Sequence, residues 1–120
     1  MNPKLFAHVW ADAWNRRDIE SVLAHFADDV QFTSPTALAV TGHPVVRGKD
    51  ALRAYWTAAM DRIEALHFTV DRVLWDAEQR ELAIIYIARI NGASRTVSEN
   101  LTFGVSDLVT RAEVFHGSPV

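Results

Sequence analysis

Cysteine is absent from this 120-residue chain. Without thiols there is no disulfide framework, no thiolate nucleophile and no zinc site built on cysteine. A reducing compartment is allowed, and the cytoplasm is the default expectation. Long apolar runs are lacking too. The longest, residues 82–88, falls far short of the roughly 20 residues of a spanning helix, so no membrane protein is expected. Residues 1–14 lack a basic segment followed by an apolar one and a cleavage site, so no secretory signal is expected either. Charge of one sign is scarce: the 12 Lys and Arg are scattered, the net charge is −3, and there is no electrostatic footprint for nucleic acid. The glycines are singles at 42, 48, 92, 104 and 117, which excludes the glycine-rich phosphate cradles and the strand-to-helix nucleophile elbow. His8, His25, His43, His67 and His116 show no i, i+2 or i, i+4 spacing. No metal site and no cofactor is expected, and the partners expected are small molecules or protein.

With 49% hydrophobic residues, the chain has enough apolar material for one core, and residues 1–120 are expected to form one domain. Helical period runs through residues 3–15, 18–26 and 49–65. In the first segment Leu5, Phe6, Val9, Trp10, Ala13 and Trp14 form a stripe that must be covered. Asp18 is placed to cap the second. In the third, Leu52, Tyr55, Trp56, Ala59, Met60 and Ile63 repeat the stripe. The period then changes: residues 67–75, 81–90, 95–103 and 108–116 read as a four-stranded antiparallel meander, with shorter strands at 30–33 and 45–46 and a long loop at 35–48. The expected order is ααββαββββ. This is an α+β domain whose curved antiparallel sheet wraps three helices of the N-terminal half around an apolar pocket. Both parities of residues 82–90 are apolar, so that strand is buried on both faces. Helices in so small a domain cover one face; a homodimer through the other is expected.

Glu99 is the leading candidate for function. It shares its strand parity with Val97, Leu101 and Phe103, which directs a carboxylate toward the core. Burial disfavours the charged form, so its pKa should rise, and a protonated carboxyl donates a hydrogen bond or acts as an acid. The alternative is a structural ion pair with a neighbour such as Arg89. Trp10, Trp14 and Trp56 are either pocket walls or plain core. Ser34, before Pro35, and His43 stand in the long loop where side chains reach a pocket mouth; turn chemistry and an exposed histidine are the alternatives. Tyr86 is positioned to donate to a ligand or simply to pack. Asp28 and Asp29 fit turn solvation, and Arg111 and Glu113 a solvated face.

The order of elements and the stretches WADAWNRRDIESVLAHFADDVQFTSP, VVRGKDALRAYW and LTFGVSDLVTRAEVFHG resemble the NTF2-like superfamily, and within it the SnoaL-like proteins. That resemblance implies a cone-shaped α+β fold. Its members include ketosteroid isomerases, polyketide cyclases, epoxide hydrolases, dehydratases and proteins without known catalysis. Set against the ketosteroid isomerases, the position of the general base is Ser34, that of the helix-one tyrosine is Trp10, and that of the protonated oxyanion-hole aspartate is Glu99. Carbon-acid proton abstraction by that route is not expected with a serine at position 34. No Arg-x-Asp pair stands on a strand as in the epoxide hydrolases. The resemblance implies a small apolar oxygenated ligand, polyketide-like or steroid-like. A cyclase, isomerase or hydratase would use Glu99; a non-catalytic dimeric binding module is the other expectation.

Overall fold

The computed structural model describes residues 1–120. In chain order the elements are α1 (Pro3–Asn15), α2 (Ile19–Leu23), β1 (Phe26–Thr33), α3 (Pro35–Thr41), β2 (Val45–Arg47), α4 (Lys49–Asp61), β3 (Leu66–Asp76), β4 (Glu81–Ile90), β5 (Ala93–Phe103) and β6 (Val109–Pro119). Local chemistry explains the helix starts. The Asn2 side chain accepts from the Leu5 N–H at the head of α1, and the Asp18 carboxylate accepts from the Ser21 N–H at the head of α2. Each satisfies one of the backbone donors that a helix leaves free at its first turn. Gly48, at φ +89° and ψ 151°, turns the chain from β2 into α4 through a backbone region open essentially to glycine alone.

The six strands form one sheet in the order β2-β1-β6-β5-β4-β3. It is mixed, which corrects the expectation of an antiparallel sheet: β1 runs parallel to β6. That pairing joins segments about eighty residues apart in sequence, and no local pattern announces it. Register shifts in the β3–β4, β5–β6 and β1–β6 ladders bend the strands and curve the sheet around the helices.

Three further expectations are corrected. The second helix stops at Leu23, and β1 begins at Phe26 rather than at 30, because Phe26 is needed in the core while Asp28 and Asp29 stay exposed. Residues 35–41 of the expected loop form α3, so there are four helices and the order is ααβαβαββββ. Ser34 caps α3, Pro35 occupies its first turn, and Gly42 ends it at φ +81°, the pattern that starts and stops a helix. Finally, the α1 stripe is only partly covered. Trp10, Ala13 and Trp14 are buried, but Leu5 and Val9 stay exposed.

The core lies between α1, α4 and the concave face of the sheet. Asn15 locks α1 to β3: its amide donates to the Phe68 carbonyl at 3.0 Å and accepts from the Phe68 N–H at 2.7 Å. Arg17 donates to the Ile63 carbonyl beyond α4 at 2.7 Å. These bonds hold both helices over one end of the sheet.

Candidate functional site

Between α1, α4 and the sheet lies a cavity of about 140 Å³ whose walls are mostly apolar. Its size is near the ~150 Å³ that accommodates a benzene ring in an apolar protein interior. Of the residues singled out from the sequence, Trp14, Ser34, Trp56, Tyr86 and Glu99 line it. Trp10 and His43 do not. Trp10 is 1% exposed, one layer behind the wall: its ring meets Tyr86 edge-on at 5.0 Å and stacks on Phe68 at 5.7 Å. His43 is exposed and follows α3, which carries it to the surface.

Strand register brings the polar groups together. Glu99 on β5 stands opposite Ile84 on β4 and Val114 on β6, and all three point to the concave side. Tyr86 is one inward position further along β4, opposite Val97. Arg89 lies exposed on the opposite face, across from Ser94, and Glu99 belongs to no ion pair. Burial therefore acts almost unopposed and pushes the Glu99 carboxyl up to about 8; hydrogen bonding with the Tyr86 hydroxyl pulls the other way and loses. At neutral pH Glu99 is protonated and has a proton to donate. Burial, reinforced by Glu99, likewise holds Tyr86 well above its ordinary value, so its hydroxyl also remains protonated.

Two more hydroxyls and a tryptophan join these in the lining, with Thr36 and His116. Ser34, 3% exposed, accepts from the Thr36 N–H at 3.1 Å as it caps α3. A neutral hydroxyl committed to a helix cap is no general base. Tyr55 on α4 is raised above its ordinary value by burial, opposed by hydrogen bonding with Ser34. The Trp14 indole N–H is buried without a hydrogen-bond partner. Trp14 and Trp56 meet edge-on at 4.9 Å, and Phe32 meets Trp56 at 5.5 Å, which fixes the apolar wall opposite the sheet. Tyr55, Phe68 and His116 line the cavity as well and were not singled out as site residues from the sequence. Tyr55 was readable within the α4 stripe, and His116 through its even parity with Val114. The site is a neutral donor set at the floor of an apolar chamber. It suits an uncharged oxygen acceptor on an apolar body. No three His, Asp or Glu side chains come together as a metal-binding group, and no helix is long and apolar enough to cross a membrane.

Comparison with known proteins agrees with the fold. A SnoaL-like protein of unknown function from Burkholderia thailandensis is 31% identical, superposes with a TM-score of 0.86, and the match covers 97% of this chain and 94% of that one. A candidate ketosteroid isomerase from Kribbella flavida is 22% identical with a TM-score of 0.71 over 93% of this chain and 75% of that one. A computationally designed 17-OHP binder is 22% identical with a TM-score of 0.71 over 96% and 91%. No curated protein matches the chain. Residues 7–112 match the SnoaL-like domain family. With the cone of mixed sheet and helices already described, that match places this chain in the SnoaL-like domain family, a member of the NTF2-like group.

Proposed function

We propose that the chain binds a small apolar molecule bearing a carbonyl or similar oxygen, ring-sized in its buried part, and that protonated Glu99 donates the hydrogen bond that orients it. The observation that carries this reading is the Glu99 carboxyl itself. It is 5% exposed, without a cationic partner, in the lining of an apolar cavity, and raised to about 8 by burial. A computationally designed 17-OHP binder has the same fold, which supports a small-molecule ligand for this chain. A cyclase-, isomerase- or hydratase-type reaction would use the same donor to polarise the carbonyl, but Ser34 supplies no base, so binding is the reading the residues favour.

The test is ligand-observed binding against a panel of polyketide-like and steroid-like ketones across a pH series. Only protonated Glu99 donates, so wild-type affinity is expected to hold through neutrality and then fall about tenfold per pH unit above the Glu99 pKa. Glu99→Gln should give a flat profile. Absence of ketone binding, or the same profile in both proteins, rejects the reading.

A second copy of the chain is proposed to cover the outer face of the sheet. Leu74 and Phe115 are 57% and 50% exposed there, and Ile85 and Ile87 are half-buried on the same face. Burying these apolar side chains against a second copy would remove their surface from water. Sedimentation is expected to give twice the chain mass, and Phe115→Glu to shift it toward the monomer. A wild-type monomer at high concentration would remove the proposal.

A further inference from the structure

The cavity that Glu99 lines adjoins a second one. It shares Thr36, Ala88, Ile90, Val97 and His116 with a wider outer chamber of about 340 Å³ toward the far ends of β4, β5 and β6. Arg95 lines that outer chamber. It stands on β5 with the same parity as Glu99, and Val97 lies between them. At about 3.3 Å of rise per residue, the two Cα atoms are separated by roughly 13 Å along the concave side of one strand. The residues common to both linings are the apolar Val97, Ala88 and Ile90 with the uncharged Thr36 and His116.

Arg95 is the one permanently charged side chain among the linings of both chambers, and it forms no ion pair with any carboxylate. Its partner is His116 on β6, with Nη1 3.0 Å from Nδ1. Burial, and after it the Arg95 charge, holds His116 below its ordinary value. The imidazole stays neutral and accepts from the guanidinium at Nδ1. One donor of the planar fork is thereby fixed, and the remaining N–H groups are free for a second acceptor.

We propose that the ligand is an amphiphile: an apolar body with an uncharged oxygen at the Glu99 end and an anionic group, a carboxylate or its equivalent, held by Arg95 at the mouth. Guanidinium and carboxylate match as paired donors and acceptors, and Arg95 is the one permanent charge beside an otherwise uncharged lining. This inference rests on the reading of the inner cavity as a ligand site and adds the class of ligand that enters it. It also sets polarity, since the charged end stays at the wet mouth and only the neutral end is desolvated.

Para-hydroxyphenyl alkanoic acids of increasing chain length, each paired with its primary amide, provide the probes. Their affinities for wild type, Arg95→Gln, Arg95→Lys and Glu99→Leu, which removes the inner donor, are measured by calorimetric titration at neutral pH. In wild type the acid is expected to bind about tenfold more tightly than the amide at the optimal length, the range for a charge-assisted hydrogen bond at a partly exposed site. The preference should shrink as salt is added. The acid-to-amide ratio should fall to about one in Arg95→Gln and be partly kept in Arg95→Lys. Equal binding of acid and amide to wild type, or a preference that survives Arg95→Gln, overturns the inference. If the amides bind in a Glu99-dependent way with no preference for the acids, the inner-cavity reading stands and this one fails. If neither series binds, both fail.

Discussion

Trp10→Ala is expected to cost about 3–5 kcal/mol of folding stability, the range for removing a fully buried large aromatic side chain. Trp10 is 1% exposed, and its indole is the piece of α1 that meets both Phe68 on β3 and Tyr86 on β4. Alanine would leave a void bordered by those two rings, which themselves stand 4.7 Å apart. Nothing adjacent is positioned to fill it, because Asn15 holds the Phe68 backbone to α1 through two hydrogen bonds. Set against the ~5–15 kcal/mol that a domain of this kind typically has, the loss is a large fraction of the total. Urea denaturation measures it as a lower midpoint at unchanged slope. Trp10→Phe is the control: it keeps a ring and removes an indole N–H that is buried without a partner, so its cost should be much smaller. A loss below about 1 kcal/mol for the alanine variant would show that this ring does not anchor α1.

The helices and strands with strong period were readable from their residues alone. In α1 and α4 the apolar stripes, and in β3 to β6 the β-branched runs and their turns, place each element within a few residues of its position. What escaped lies where a signal is short or non-local. Ser34-Pro35 reads from sequence as a pocket-mouth position or a turn, yet the same dipeptide is a cap followed by a first-turn proline, and Gly42 marks the other end of α3. The parallel β1–β6 pairing depends on contacts between the two ends of the chain and leaves no trace in either segment. At the site, strand parity was sufficient to turn Glu99 inward, because alternation is rigid along a strand. Helical spacing could not separate Trp10 from Trp14. Both lie on the buried side of α1, and which one reaches the cavity is decided by where α1 crosses β3 and β4. Arg95 shares Glu99's parity, but an arginine near a strand end reads as solvated until its neighbours show an uncharged channel beside it.

The pH dependence of stability should differ between wild type and Glu99→Gln by on the order of 5 kcal/mol across one window. In the unfolded chain Glu99 titrates near its ordinary 4.5, and in the folded protein burial raises it to about 8. Below the lower value both states hold the proton and the difference is flat. Between the two values only the folded state holds it, so the unfolded state gains by ionising, and wild-type stability relative to the variant falls by about 1.4 kcal/mol per pH unit. Above the upper value both states are ionised and the difference is flat again. Glutamine carries no titrating proton, and every other titrating group is common to both proteins, so subtraction isolates Glu99. Denaturation midpoints across the window measure the difference directly. Parallel wild-type and variant profiles would mean that the carboxyl ionises in the folded protein as it does in water. That result would remove the protonated donor on which ligand orientation depends. The measurement needs no ligand, so it tests the chemistry of the site separately from the identity of what occupies it. A ligand that accepts the Glu99 proton in a hydrogen bond binds the protonated form alone, and must therefore move the upper edge of the window to higher pH by linkage.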